Sequence, residues 1–184
     1  MILKKEKGFT LIELVIVLVL LAVLGASINV LIGDTTSTKV YGTAQKIQYD
    51  IIFAQESAMT HRVHYRVQFN NAGSNSYTIK WCNYQTTVCT TYPTNWSDTL
   101  DPSTNTSPFT VTLNAGNYAG VSWTSNTFFA ASNYIEFNSA GTPLDANTAC
   151  GTAPCPITSA ESVILNLGTR SVSVTPGTGK TTVY

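Results

Sequence analysis

The chain has 184 residues with ten basic and ten acidic side chains, and only 11% of its residues are charged. That balance argues against a general polyanion binder, and the length leaves room for one small domain beside a single apolar segment, with no second enzyme-sized domain. Abundant Thr, Ser, Asn and Gly fit an extracytoplasmic β-rich surface better than a cytosolic enzyme.

Lys4, Lys5 and Lys7 precede an apolar run from Phe9 to Ile32, 24 residues in which Glu13 is the only charge and Asn29 the only large polar side chain. As a helix this run would be ~36 Å long, enough for the ~30 Å hydrocarbon layer of a bilayer. The lysines would place Met1 in the cytoplasm. A secretory signal would reach a small-residue cleavage site after only ~7 to 15 apolar residues, so the run reads as a membrane helix. Glu13 is its anomaly, since a carboxylate within such a helix costs about 2.5 to 3.5 kcal/mol even on the lenient insertion scale.

Lysines, then Gly8, then Phe9, then Glu13 as the fifth residue counted from Phe9 resemble the class III signal of type IV prepilins and pseudopilins. The resemblance implies that prepilin peptidase cuts between Gly8 and Phe9, removes residues 1–8 and N-methylates Phe9. It also makes Glu13 an assembly residue, whose carboxylate meets the freed Phe9 amine of a neighbouring subunit and so offsets the burial of both charges. Without the leader the chain keeps seven basic and nine acidic side chains, since three lysines and Glu6 leave with it.

Beyond Ile32 the apolar positions Val40, Ala44, Ile47, Ile51, Ala54 and Ala58 recur at helical spacing, predicting an amphipathic helix over 33–60 that continues the membrane segment 9–32 as one rod. Its other face, Lys39, Lys46, Gln48, Asp50, Gln55 and Glu56, reads as solvated, with Asp50 one turn beyond Lys46. From Val63 the period becomes two, with Val63, Tyr65, Val67 and Phe69 on one face of a half-buried strand and His64, Arg66 and Gln68 on the other. Turn chemistry at 70–75 and a second strand, Tyr77 to Trp81, complete a hairpin.

Residues 90–108 read as a long exposed connection anchored by Tyr92 and Trp96. Strand character returns at 109–113, 120–123, 128–129, 134–138, 162–167, 171–174 and 181–184. Cys82 and Cys89, then Cys150 and Cys155, form two close pairs that lack C-x2-C zinc knuckles, so disulfides are expected and no metal or other cofactor. Of three connectivities, Cys82 with Cys89 and Cys150 with Cys155 is the expected one. The fold class is α+β: a long N-terminal helix packed on an antiparallel β domain over 61–184.

A second resemblance lies in Ala54-Gln55-Glu56-Ser57-Ala58 running into a strand, Ile135 to Gly141, and the closing turn with Gly179-Lys180. These are similar to the H-type minor pseudopilins, the group of the type II secretion H subunit and the FimT and FimU minor pilins. The implied function is a non-enzymatic subunit, held in the bacterial inner membrane before assembly and then incorporated near the tip of a type IV pilus or type II secretion pseudopilus. Its implied partners are other pilin subunits and prepilin peptidase. The alternative is a tip-located module for DNA uptake or adhesion; DNA would draw on His61, Arg62, Arg66, Arg170 and Lys180, a thin set of cations for neutralising phosphates. His61 and His64 straddle the helix-to-strand junction, where a polar surface role outweighs metal binding. Gly177-Thr178-Gly179-Lys180-Thr181 lacks Walker spacing, and no nucleophile elbow or H-E-x-x-H occurs.

Overall fold

The computed structural model describes residues 8–31, 35–70, 75–82, 95–126, 133–145, 155–165 and 169–184. The chain divides into two units, Met1–Thr35 and Thr36–Tyr184. Residues 32–34, on which the continuity of the expected rod rests, lie outside the described residues.

In the first unit, helix α1 covers Leu11–Leu31, with side chains described as far as Leu24. The apolar side chains named over Leu11 to Leu24 are all exposed, from Val15 and Val17 at 47% to Leu11 at 82%. Nothing among the described residues of this unit covers them. Among the described residues no helix is long and apolar enough to cross a membrane. The part of α1 whose side chains are described, Leu11 to Leu24, rises only ~21 Å.

The second unit opens with helix α2, Thr35–His61. The apolar stripe read from the sequence is the stripe that is buried: Val40, Ala44, Ile47, Ile51, Ala54 and Ala58 are at most 2% exposed. Alanine at three of these positions keeps the helix backbone close to what it covers.

Two antiparallel sheets receive it. The larger contains β1 (His64–Asn70), β2 (Ser76–Cys82), β3 (Ser97–Asp98), β4 (Phe109–Thr112), β6 (Tyr134–Phe137), β7 (Pro143–Asp145) and β8 (Cys155–Pro156), in the order β3-β2-β1-β6-β7-β8 with β4 also on β2. The smaller has the order β11-β10-β9-β5, from β5 (Trp123–Asn126), β9 (Glu161–Leu165), β10 (Arg170–Val174) and β11 (Thr181–Val183). The expected hairpin is present, β1 against β2 with Val67 opposite Ile79. Val67, Phe69, Tyr77, Ile79, Phe109, Ile135 and Phe137 of one sheet and Val163, Leu165, Val172 and Val174 of the other share a single core with the α2 stripe.

Three strands fall where the sequence shows only turn chemistry. β3 lies in the expected exposed connection, where Trp96, Thr99 and Asp101 are also buried. β7 and β8 are two or three residues long, too short for a period of two to declare itself. Residues 120–122 are not strand; the strand there starts at Trp123. The expected strand at 128–129 and Tyr92 lie outside the described residues.

On the edge strands β11 and β8 one outward backbone position each is withheld from a further strand. Gln48 on α2 donates to the Thr181 carbonyl of β11 at 2.8 Å. On β8 the Ile157 N–H bonds back to Pro143 of β7, so by alternation Pro156 faces outward, where it has no N–H to offer.

The polar side of α2 is the expected solvated face only in part: Lys39 and Glu56 are exposed, but Asp50 is not. Asp50 is only 5% exposed; Lys46 Nζ donates to its carboxylate at 2.5 Å and the Tyr77 hydroxyl donates to Oδ2 at 2.6 Å. Burial pushes the Asp50 carboxyl above the usual aspartate value, a rise the bonds from Lys46 and Tyr77 only partly offset. Because the folded state then holds this proton more tightly, Asp50's contribution to stability falls as pH rises from the ordinary aspartate value through its own raised one. Burial, with the Asp50 charge beside it, holds the Tyr77 hydroxyl far above its usual value, so it stays a donor.

Candidate functional site

Gly8 and Phe9 lie ahead of α1, and Phe9 is 83% exposed. Thr10 and Glu13 cap the helix reciprocally. The Thr10 backbone N–H and its hydroxyl each donate to Glu13 Oε2 at 2.9 Å, and the Glu13 N–H donates to Thr10 Oγ1 at 3.4 Å. This is a capping box, a Thr followed three residues later by Glu, which satisfies helix-end donors that no backbone carbonyl can reach. The motif Thr10-Leu11-Ile12-Glu13 stands in the sequence and was readable there. Glu13 therefore has a local task within one chain, separate from any meeting with a second one.

In the second unit a buried ionic cluster occupies the face of the larger sheet turned away from α2. Arg66 of β1 stands directly opposite Glu136 of β6. Its Nη2 and Nε donate to Glu136 Oε2 at 2.7 and 3.3 Å, and His64 Nδ1 lies 2.7 Å from Oε1. A carboxylate only accepts, so His64 carries its proton on Nδ1. The guanidinium lies 3.5 Å from the Tyr134 ring centroid and 4.2 Å from that of Trp96. Arg66 is 3% exposed and Glu136 fully buried.

This cluster corrects two sequence readings. Arg66 is not a surface cation available to phosphates, because its charge is spent on Glu136 and its faces on two aromatic rings. His64 is not a plain surface residue either. It and His61 also point apart: His61 Nδ1 is 3.0 Å from the Tyr65 hydroxyl on the core side of β1, while His64 reaches Glu136 on the other. No group of three or more His, Cys, Asp or Glu able to hold a metal occurs among the described residues. Arg170 lies 5.4 Å from the Tyr41 ring, at the other end of α2 from Arg62.

The three stretches that carry the second resemblance converge on one point. Gln55 Nε2 donates to the carbonyls of Gly141 and Thr178, both at 2.8 Å. Gly141 and Gly179 have φ of +78° and +67°. A Cβ on Gly141 would meet Met59 Sδ at 2.7 Å, and one on Gly179 would strike Gln55 Nε2 and approach Phe137 at 3.1 Å. One side chain of α2 thus ties down two turns that are far apart in sequence. Gly179→Ala should displace Gln55, break both bonds and impose a left-handed alanine, a loss of about 2 to 4 kcal/mol. Urea denaturation measures it, and a change below ~1 kcal/mol would show that Gln55 does not hold both turns.

Cys82 and Cys155 are disulfide-bonded; Cys89 and Cys150 lie outside the described residues. Cys82 is in β2 and Cys155 in β8, with β1, β6 and β7 between them. At ~4.8 Å per strand they stand ~19 Å apart, beyond the reach of a disulfide with each other. That removes one of the three connectivities.

Residues 3–29 match the family model described as the prokaryotic N-terminal methylation motif, which bears out the resemblance of the Gly8 to Leu14 segment to a prepilin signal. No curated protein matches the chain. Among solved structures, the chain is similar to the minor pseudopilin EpsH from the type 2 secretion system of Vibrio cholerae. The identity is 11%, with 79% of this chain and 96% of that one covered, at a TM-score of 0.49.

Proposed function

We propose that this chain is a minor pilin or pseudopilin, a non-enzymatic subunit that prepilin peptidase cuts between Gly8 and Phe9 and methylates on the Phe9 amine. Before assembly, residues 9–32 hold it in the bacterial inner membrane with Met1 on the cytoplasmic side. It then enters a filament near the tip and helps to initiate assembly, with residues 33–60 as the helix that carries the β domain, 61–184, outside. The observation that carries this reading is the methylation motif over residues 3–29. The exposed apolar sides of α1 add to it, because a helix apolar all round needs lipid or other helices around it. Its partners are other pilin-like subunits. Outside the membrane, Cys82 pairs with Cys89 and Cys150 with Cys155, each short loop contributing about 2 to 3 kcal/mol.

Mass spectrometry of the mature polypeptide tests the first step. In cells with a working prepilin peptidase the chain should begin at Phe9 and carry one methyl group on its amine. A mature chain that retains Met1 to Gly8 would overturn the reading.

A further inference from the structure

Gln55 and Met59 stand one helical turn apart on α2 and address the same loop, the turn over 138–142. Gln55 holds it by its hydrogen bond to the Gly141 carbonyl at 2.8 Å. Met59 lies against it, with Sδ, Cγ and Cε at 2.7, 3.1 and 3.5 Å from the point where residue 141 would carry a Cβ. The thioether occupies space that only glycine leaves, and glycine is also what the φ of +78° there favours. Met59 is nonetheless 44% exposed, so a small solute reaches its sulfur from water.

The backbone N–H groups nearest this contact are already spent. That of Gly141 donates to the Asn138 carbonyl at 2.8 Å, and those of Ala140 and Thr142 donate to Asn138 Oδ1 at 3.0 and 2.9 Å. An oxygen added to the sulfur would be a strong acceptor facing a turn whose N–H groups are all engaged, an arrangement that costs free energy until the oxygen swings out to water. That swing lifts the sulfur off Gly141. Thiols offer no competing target, since among the described residues no cysteine is free and Cys82 and Cys155 are held in disulfides.

We propose that Met59 is a site of reversible oxidation by peroxide, and that its sulfoxide releases the 138–142 turn from α2. In the step a sulfur lone pair attacks one peroxide oxygen, the O–O bond breaks, the S–O bond forms and the other oxygen leaves as water; sulfur loses two electrons and the peroxide gains them. Gln55 then keeps its bond to Thr178, so one of the two turns it holds comes loose while the other stays. A dithiol-dependent methionine sulfoxide reductase reverses the change, the oxygen leaving as water and the dithiol becoming a disulfide. This goes beyond the filament reading and does not depend on it.

The full chain in phospholipid nanodiscs is treated with hydrogen peroxide, mapped by peptide mass spectrometry, and its amide hydrogen exchange compared before and after. Mapping separates Met59 from Met1, the other methionine of the chain. Met59 should gain one oxygen, and exchange over 138–142 should quicken roughly five- to tenfold while the paired strands β9 and β10 stay unchanged. Treatment with both methionine sulfoxide reductases, one per sulfoxide epimer, should restore the slow exchange. Met59→Leu, a swap of similar volume, should exchange slowly with or without peroxide. The proposal fails if Met59 stays unoxidised while free methionine in the same sample is consumed, if the oxidised chain exchanges over 138–142 as before, if exchange quickens everywhere alike, or if Met59→Leu responds as the unaltered chain does. Because neither leader cleavage nor assembly enters the readout, failure here leaves the filament reading standing.

Discussion

Replacing Glu136 with alanine should cost about 3 to 5 kcal/mol, because Arg66 would then be left as a charge without a counter-ion inside a closed aromatic sandwich. Against a total of roughly 5 to 15 kcal/mol for a domain, much of the folded population is at stake. At about 2 to 4 °C per kcal/mol for a chain of this size, the melting temperature should fall by roughly 6 to 20 °C. A control separates charge burial from mere loss of packing: Arg66→Met with Glu136→Leu removes both charges at similar volume and should recover most of the loss. Thermal and urea denaturation measure both. A single substitution costing less than ~1 kcal/mol would mean that Arg66 finds water, and that Trp96 and Tyr134 do not seal it.

Glu13→Ala should leave leader removal intact and abolish incorporation into filaments. The capping box adds a sharper variant. Glutamine at this position can still accept from the Thr10 N–H and hydroxyl, so it keeps the helix start; it cannot offer a full negative charge to a neighbour's amine. If the role of Glu13 is an ion pair between subunits, Glu13→Gln is processed normally and still fails to enter filaments. If its role is only to start its own helix, Glu13→Gln assembles like the unaltered chain while Glu13→Ala does not. Immunoblots of sheared filament fractions beside whole-cell extracts read both steps, and filament entry of Glu13→Gln at the unaltered level would remove the intersubunit role.

The parts of the fold that were legible in the sequence are those where one period runs long enough to stand out. Six α2 positions, from Val40 to Ala58, and the β1 alternation from Val63 to Phe69 are repeated patterns fixed by a single buried face. What the sequence hid was polar burial. Gln48, Asp50 and Gln55 read as solvent-facing because hydropathy cannot tell a side chain reaching water from one reaching the Thr181 carbonyl, the Tyr77 hydroxyl or two turns at once. Arg66 and Glu136 stand 70 residues apart, and their pairing depends on β1 lying beside β6, which no local pattern reveals. The short strands β3, β7 and β8 were missed for a related reason: they exist because a neighbouring strand offers them hydrogen bonds, not because of their own residues. At the N-terminal segment Gly8, Phe9 and Glu13 are singled out only by the prepilin resemblance, while the Thr10 half of the capping box, equally visible in the sequence, is not part of it.

The withholding of one outward position on β11 by Gln48 and one on β8 by Pro156 bears on how copies of this chain behave when crowded. An open strand edge invites a second chain to zip onto it backbone to backbone, and repetition of that step gives amyloid-like aggregates. With the Thr181 carbonyl already taken and no amide hydrogen at Pro156, a ladder built on β11 or β8 loses one hydrogen bond at each. Crowded copies are thereby less ready to pair through these two strands.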